Sequence, residues 1–460
     1  MKGTVGNESV GFGKAQITPK GGQIVIAGSI PVRYTDVVND DVYAVAMVLE
    51  QNDVRTIWVS CDMCHPTKRL TDDVIQSLRE CVPNFKDEEL VLSTTHATAC
   101  FYLTDDEFLN SAFDVDDNLI MSVDETRRQV CEGIVLAIRE AFSVMENCTV
   151  EFSTAEILTG FCRRVVYKDG SAVMYGNVNR DDFLRMEYPD SGGMQMLYFY
   201  RRRDRMLLGI FAAVPCPAQA DESSVYITSD YWGAVRERIE NEFGRNVNVL
   251  GLCRSAGELS PHRLWSVDAA KVTEEWGRKT AEKVGKNIAD AIIREMVNPH
   301  FIFDTDEIVC SRITKELSFP VRKPSPKEAE EAIEYLANSS NFDEKGEAID
   351  WQAEAKAKHT LKVINEDDFY GAKISVLRIG KLLFFTAPFE LFTEYAKKIV
   401  VRFPENPVVD IQLTNDSLGY LPTNEAIEHG GYSTCIFSTV TTPEGGEKYV
   451  SEVIELLRQL

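Results

Sequence analysis

The side chains of this sequence that could do chemistry stand directly after runs of apolar and β-branched residues. His96 follows the run 90–95, and Asp62 follows the run 55–61. Runs of this composition predict strands, and ligands of α/β sheets bind beyond the carboxyl ends of strands. His96 is therefore either a metal ligand or an ordinary hydrogen-bonded residue, and Asp62 is a carboxylate at the same sheet edge.

Two further candidates follow later predicted strands. Cys216 stands between two prolines after the run 206–214, in a turn that cannot be helical. Its thiol could ligate a metal, act as a nucleophile or be a buried structural group. Glu390 follows the run 382–387 and is either a carboxylate at a helix N-terminus, stabilised by the dipole, or a metal ligand. The chain has only 6 His, so a metal site must mix ligand types.

The turn-rich C-terminal part places Tyr420 and Tyr432 beside glycines. Tyrosines in such loops either pack or bind ligands, and their spacing leaves both readings open. The segment 253–262 combines small residues with a glycine, which permits a ligand to approach the backbone closely. It does not match the nucleophile motif GxSxG. The sequence also lacks a P-loop, an HExxH motif and a convincing Rossmann glycine fingerprint, so nucleotide binding and zincin chemistry lose their main support.

The elements that must position these residues alternate along the chain. Predicted strands cover 42–49, 55–61, 90–95, 206–214, 247–252, 373–378 and 382–387, and predicted helices cover 71–82, 119–145, 231–243, 268–296, 326–337, 390–402 and 445–459. This alternation predicts an α/β fold with mixed β-sheets flanked by helices. Because no linker divides the chain, we predict a single domain over 1–460, with the polar, proline-containing segment 297–350 as an insertion or cover.

The composition narrows the class of protein. With 44% hydrophobic and 26% charged residues, the chain resembles an average globular protein. Its 72 Asp+Glu against 49 Lys+Arg argue against nucleic-acid partners and anionic membrane surfaces. The 11 scattered Cys indicate reduced thiols, and no leader or long apolar run is visible, so we expect a cytoplasmic protein without membrane insertion. The expected partner is a small-molecule substrate, and a homo-oligomer is a further expectation.

Taken in order, these turns resemble the catalytic domain of the neutral (non-lysosomal) ceramidases and their bacterial relatives. Five stretches are similar to family motifs: GFGKAQITP at 11–19, WVSCDM at 58–63, TTHATA at 94–99, SAGELSP at 255–261 and IGKLLFFTAPFE at 379–390. Tyr420 and Tyr432 resemble the two tyrosines near the end of the family's domain. The resemblance implies the ceramidase catalytic-domain fold, and we expect the family's C-terminal immunoglobulin-like domain to be missing.

The resemblance also implies a single zinc ion bound by two His, one Glu and one Tyr. His96, Glu390 and Tyr420 match three of these ligands. Where the family has its other histidine ligand, this chain has Cys216, and a thiolate is also a good zinc ligand. The second histidine of the family's THTH motif, which helps to bind substrate, is Thr98 here.

By this resemblance, a zinc-bound hydroxide attacks an amide or ester carbonyl. Arg163 or Arg164, together with Tyr432, would stabilise the oxyanion, and Asp62 would orient a metal ligand. We expect a small polar substrate rather than ceramide. Two alternatives are a non-catalytic protein that binds a metal or ligand on the same fold, and a thiol hydrolase in which Cys216 is the nucleophile.

Overall fold

A computed structural model describes residues 9–27, 33–51, 54–103, 120–245, 247–267, 272, 276–303, 310–342 and 350–460 of the protein. The strands are β1 (Ser9–Gln16), β2 (Ile24–Ile26), β3 (Arg33–Thr35), β4 (Tyr43–Gln51), β5 (Val54–Cys61), β6 (Leu90–Thr94), β7 (Glu146–Ala155), β8 (Phe161–Cys162), β9 (Arg164–Tyr167), β10 (Ala172–Met174), β11 (Phe183–Met186), β12 (Met194–Arg201), β13 (Leu207–Val214), β14 (Asn248–Cys253), β15 (Leu259–Ser260), β16 (Phe301–Phe303), β17 (Cys310–Pro320), β18 (Phe369–Ile379), β19 (Leu382–Thr386), β20 (Glu390–Leu391), β21 (Val408–Ile411) and β22 (Tyr420–Leu421). The α-helices are α1 (Lys68–Cys81), α2 (Val123–Ser143), α3 (Tyr231–Phe243), α4 (Arg278–Glu295), α5 (Pro326–Ala337), α6 (Trp351–Val363), α7 (Thr393–Val400), α8 (Asn424–His429) and α9 (Pro443–Arg458).

Two mixed sheets form the centre of the fold. The larger has the strand order β14-β13-β12-β7-β1-β4-β5-β6, with β16 also paired to β7, and the smaller has the order β17-β18-β19-β21. The pairs β5–β6, β13–β14 and β19–β21 are parallel, and the other neighbours in these two sheets are antiparallel. The predicted class, mixed sheets flanked by helices, is confirmed.

The two sheets pack face to face, and helices cover their outer faces. Strand β4 shows the reason, because its alternate side chains enter two different cores: Val45 and Met47 face the smaller sheet, whereas Ala46 and Val48 face α1 and α2. Trp58 of β5 lies between the sheets, with its ring centroid 5.8 Å from that of Phe384 in β19. The outer face of the smaller sheet packs against α7 and α9. The architecture is therefore a four-layer helix–sheet–sheet–helix stack.

The structure contains each of the predicted strands, and their bounds agree within a few residues. Three predicted helices begin later than the pattern indicated, the first being α2, which begins at Val123 where the prediction was 119–145. Glu390 and Leu391 form β20, and α7 begins at Thr393. For the prediction 268–296, α4 begins at Arg278 after Gly277, whose φ of +99° is not helical. Positions 268–271 and 273–275 lie outside the described residues.

The predicted insertion 297–350 contains elements of both sheets in its described part. Strand β16 pairs with β7 of the larger sheet, and β17 pairs with β18 over 11 residues in the smaller one. Helix α5 follows, with a capping box at Ser325 and Glu328. None of the described helices is long and apolar enough to cross a membrane.

Candidate active site

The candidate site lies where several strand ends meet. Its shortest strands bring two of the predicted residues together: β20 pairs with β22 in parallel, and the register places Glu390 directly opposite Tyr420. The segment between β14 and β15 lies against β20, and the two are joined by a hydrogen bond from the N–H of Gly257 to the carbonyl of Leu391 at 3.0 Å. A Cβ on Gly257 would lie 2.6 Å from the carbonyl oxygen of Glu390, so only glycine permits this approach.

His96 is buried two residues after β6 and is held in an uncommon backbone conformation. Its φ is +60°, in the left-handed region that non-glycine residues rarely adopt. Both of its neighbours are anchored, since Thr95 donates to the Cys61 carbonyl and Ala97 donates to that of Met63. Burial, assisted by the positive charge of Arg163, lowers the pKa of His96 well below its ordinary value. Such a conformation persists because the surrounding structure holds it in place, here through the anchored neighbours of His96.

The ring nitrogens of His96 face three side chains. Nε2 lies 3.6 Å from Oε2 of Glu390 and 3.4 Å from the amide nitrogen of Gln219. Nδ1 lies 3.4 Å from the amide nitrogen of Gln412. The two glutamines come from the loop that follows β13 and from the residue that follows β21. His96 and Glu390 therefore form the centre of the site, with an amide beside each ring nitrogen.

The Glu390 carboxylate is buried among groups that favour different protonation states. Burial raises its pKa to about 7, while the nearby Arg163 charge and a hydrogen bond from Tyr420 act in the opposite direction. Its Oε2 is buried and has no hydrogen-bond partner. A buried acceptor that lacks a partner is costly in a folded protein, and such atoms concentrate at functional sites.

Arg163 supplies the positive charge of the site. Its Nη2 donates to Oη of Tyr420 at 2.9 Å and to the carbonyl of Gly257 at 3.1 Å, and it lies 3.9 Å from Oε2 of Glu390. Its Nη1 donates to Oε1 of Gln219 at 3.3 Å. The side chain is only 3% exposed. The guanidinium thus faces the oxygens of Glu390 and Tyr420 from inside the protein.

Arg164 does not share this position. Arg164 is the first residue of β9, next to Arg163 in an extended segment whose successive side chains point in opposite directions. Arg164 forms a fully buried ion pair with Glu187 instead. It also donates to Oγ of Ser433 at 2.9 Å and to the carbonyl of Gly430 at 2.8 Å. Arg164 therefore holds the loop that carries Tyr432, whose ring packs edge-on against Tyr420 at 6.0 Å.

The hydrogen bonds of the Cys216 and Asp62 side chains are made with residues outside this cluster. The Cys216 thiol donates to the carbonyl of Pro217 at 3.4 Å and has no hydrogen bond to His96, Glu390 or Tyr420. Burial raises the pKa of this thiol well above its ordinary value, whereas a nucleophilic cysteine needs a lowered one.

Asp62 forms a bidentate ion pair with Arg236, with both distances 2.7 Å. It is linked to the His96 loop through Thr95, whose hydroxyl donates to the Asp62 carboxylate at 3.3 Å, and through Cys100, whose thiol donates to the Asp62 carbonyl at 3.0 Å. Thr98 is buried near the same loop, and its hydroxyl is without a hydrogen-bond partner. Asp62 therefore supports the backbone of the His96 loop and does not contact the imidazole.

The donors of this cluster do not fit the zinc site that the resemblance implies. Cys216, the fourth implied ligand, forms no hydrogen bond to the other three, and Arg163 already faces the oxygens of Glu390 and Tyr420 with a positive charge. Among the described residues, no three His, Cys, Asp or Glu side chains form a group that could hold a metal ion.

Sequence reasoning missed Gln219 and Gln412, which flank His96. Gln219 lies three residues after Cys216 in the proline-containing loop, and it, rather than Cys216, reaches the imidazole. Gln412 directly follows β21, which the pattern did not predict. The one available signal was that Gln412 follows the carboxyl end of a strand. Many residues without a function also stand at such positions, so this signal is weak for an uncharged amide.

Comparison with known proteins identifies the fold. No protein-family model and no curated protein sequence matches the chain. The structure of neutral ceramidase from Pseudomonas aeruginosa superimposes with a TM-score of 0.71 over 98% of this chain and 74% of that one, at 14% sequence identity. The chain has the fold of the neutral ceramidases. A structure of ceramidase complexed with C2 gives a TM-score of 0.72 and 15% identity, over 98% of this chain and 75% of that one.

The predicted resemblance to the neutral ceramidases is thereby confirmed at the level of the fold. Motifs of six to twelve residues, dispersed along the sequence, were sufficient to detect a likeness that extends over 98% of the chain. At 14–15% identity the likeness shows the fold alone. What the site of this protein does must therefore be argued from its own residues.

Proposed function

We propose that the chain is a hydrolase that cleaves an amide or ester bond of a small molecule at the site formed by His96, Glu390, Tyr420, Arg163 and Tyr432. The observation that carries the proposal is the Glu390 carboxylate. Its Oε2 is buried, has no hydrogen-bond partner, and lies 3.6 Å from His96 and 3.9 Å from Arg163. The shared fold supports the same reading, since both solved neighbours are ceramidases, which by their name act on an amide.

In the proposed reaction, Glu390 acts as the general base. Its free oxygen accepts a proton from water, and the water oxygen forms a bond to the substrate carbonyl carbon. Arg163 and the Tyr432 hydroxyl stabilise the negative charge that develops on the carbonyl oxygen. The C–N or C–O bond then breaks, and the leaving nitrogen or oxygen takes the proton from Glu390. Tyr420, held between Arg163 and Glu390, keeps these two charged groups in place.

The family resemblance supplies a more specific alternative for the mechanism, in which a zinc ion takes part. In that form His96, Glu390, Tyr420 and Cys216 would hold the ion, and the ion would polarise the carbonyl and acidify water. The side chains described above favour the metal-free form, because His96, Glu390 and Cys216 do not form a group that could hold a metal ion and Arg163 provides the positive charge. No step of the proposed reaction therefore passes through a metal.

For the substrate, we propose a small polar amide or ester. Further polar groups lie beside the reacting cluster: the Glu222 carboxylate interacts electrostatically with Arg163, and the Arg163 guanidinium lies 5.8 Å from the centre of the Tyr175 ring, which packs against Trp276 at 5.1 Å. Carboxylate, phenol and guanidinium groups suit a substrate that carries hydroxyl or amino groups.

A lipid amide such as ceramide is a second candidate, and a specific surface feature favours it. Exposed apolar side chains occur on β11 and in the segment before α4, namely Leu184, Trp265, Val267 and Trp276. Trp265 contacts Phe183 of β11 at 5.9 Å, so part of this surface is continuous. Tryptophan and aliphatic side chains of this kind are typical of surfaces that meet lipid.

A substrate panel tests the proposal. Protein purified without a metal-affinity tag is offered soluble N-acyl amines, soluble esters and dispersed ceramide, each with and without a chelator. We expect turnover of soluble amides or esters that the chelator does not reduce. Turnover of ceramide alone would favour the lipid candidate, and loss of activity with the chelator followed by recovery with zinc would favour the metal form. A folded protein without activity on any substrate would favour the non-catalytic binding alternative.

A further inference from the structure

Gln412 is a buried side chain whose orientation is fixed by its contacts. Its Oε1 accepts two backbone hydrogen bonds, from the N–H of Ala256 at 3.1 Å and from that of Leu391 at 3.0 Å. Backbone N–H groups only donate, so the amide oxygen must face them and the NH2 group must face the opposite side. Rotating the amide by half a turn would leave both buried N–H groups without an acceptor, at a substantial cost.

The opposite side of the Gln412 amide contains two acceptors. The NH2 group lies 3.3 Å from Sγ of Cys253 and 3.4 Å from Nδ1 of His96. Cys253 accepts here, since its own thiol hydrogen donates to the carbonyl of Arg254 at 3.3 Å. Nδ1 of His96 must likewise accept, because an N–H at that position would point at another N–H.

A histidine with an accepting Nδ1 carries its proton on Nε2. The neighbourhood of Nε2 agrees, because the acceptor Oε2 of Glu390 lies 3.6 Å away. The Gln219 amide nitrogen is also near Nε2, at 3.4 Å, but its orientation is weakly held: Oε1 of Gln219 accepts a single hydrogen bond, from Arg163 at 3.3 Å. The two backbone hydrogen bonds on Gln412 therefore decide the tautomer.

This tautomer is the opposite of what a metal site requires. A histidine that ligates a metal through Nε2 carries its proton on Nδ1 and donates it to a carboxylate, a carbonyl or water. Here Nδ1 faces a donor, and Nε2, which faces Glu390, is occupied by the proton. The residues present thus disagree with the implied zinc site also at Gln412, the residue that contacts Nδ1 of His96.

We propose that Gln412 is a positioning residue that holds His96 in the Nε2–H form, so that the imidazole presents a hydrogen-bond donor to the Glu390 side of the site and does not bind zinc. The use of this donor by a substrate rests on the proposed function. The tautomer and the low zinc affinity do not, because both can be measured without turnover.

The first arm of the test is nuclear magnetic resonance of protein labelled with 15N in histidine. The chain has only 6 His, and a His96→Asn variant identifies the signals of that ring. We expect a protonated Nε2 and an unprotonated Nδ1 for His96. A proton on Nδ1 in the wild-type protein would overturn the proposal, whatever the variants do.

The second arm measures zinc affinity by competition with a coloured chelator. In Gln412→Glu the carboxylate can still accept from Ala256 and Leu391, and it can also accept a proton held on Nδ1. We expect the tautomer to invert and zinc affinity to rise about 10- to 100-fold, the usual effect of the group behind a histidine ligand. Gln76→Glu, which adds the same charge on the exposed face of α1, is the matched control.

The outcomes of this arm separate cleanly. Tight zinc binding by the wild-type protein, or equal affinities in the wild-type and Gln412→Glu proteins, would overturn the proposal. If Gln412→Glu does not fold, the wild-type tautomer still decides. An absence of hydrolytic activity would count against the proposed function and leave the tautomer as measured.

Discussion

Replacing Glu187 with alanine should destabilise the protein far more than removing a comparable surface carboxylate. Glu187 and Arg164 form an ion pair in which both side chains are 0% exposed. The variant leaves the Arg164 guanidinium buried without its counter-charge, which typically costs about 3–5 kcal/mol. Folded proteins are stable by only about 5–15 kcal/mol, so this loss is a large fraction of the total. Equilibrium unfolding in urea, followed by circular dichroism, measures it.

A matched control separates the buried pair from charge removal in general. Asp182 pairs with Arg180 at 2.5 Å, yet their side chains are 38% and 47% exposed, so water solvates both ions. Asp182→Ala should therefore change the free energy of unfolding little. Replacing both members of the buried pair, as Arg164→Met with Glu187→Leu, should restore part of the loss because no unpaired guanidinium remains. The rest stays lost, since His429 Nδ1, which lies 2.6 Å from Glu187, and the Gly430 carbonyl lose their partners. Equal losses in Glu187→Ala and Asp182→Ala would refute the reasoning.

Three further predictions concern the site and its surroundings. Arg163→Met removes the charge beside Tyr420, and we expect kcat to fall about 10²- to 10³-fold with a smaller change in KM; an unchanged kcat would contradict its role. Gly257→Ala brings a Cβ to 2.6 Å from the Glu390 carbonyl oxygen. The free energy of unfolding in urea should therefore fall by about 1–3 kcal/mol, and activity should also fall. A variant as stable as the wild-type protein would disprove the close approach. Burial raises the pKa of Asp230 to about 7. The folded protein therefore binds the carboxyl proton of Asp230 more tightly than the unfolded chain does. As a result, the free energy of unfolding should fall as the pH rises from about 4 to 7. Asp230→Asn should flatten this part of the stability profile, and an unaltered profile would exclude Asp230 as its source.

Much of the fold could be predicted because buried strands carry a strong local signal. The run 90–95 became β6, whose five residues are all buried, and its end fixed the position of His96. Strands of two residues carry no such signal. β20 and β22 are adjacent only in the folded chain, so the sequence could nominate Glu390 and Tyr420 separately but could not show that they face each other.

The side-chain contacts of the site were less predictable, for different reasons. Adjacent residues in a strand face opposite sides, but the sequence does not say which side holds the site. Contacts with Tyr420 and with Glu187, both distant in sequence, assign Arg163 to the cluster and Arg164 to the loop. Gln412 belongs to no motif, and its importance arises from two backbone N–H groups that only the tertiary structure brings to it.

The central claim is that the free oxygen of Glu390 drives hydrolysis, and Glu390→Gln tests it most directly. The amide keeps the shape of the side chain and cannot accept a proton from water. The measurement is kcat/KM on the best soluble substrate of the panel, beside Glu330→Gln on the exposed face of α5 as the control. The account predicts a loss of about 10²- to 10⁴-fold in Glu390→Gln and none in the control. A folded Glu390→Gln protein with full activity would contradict it.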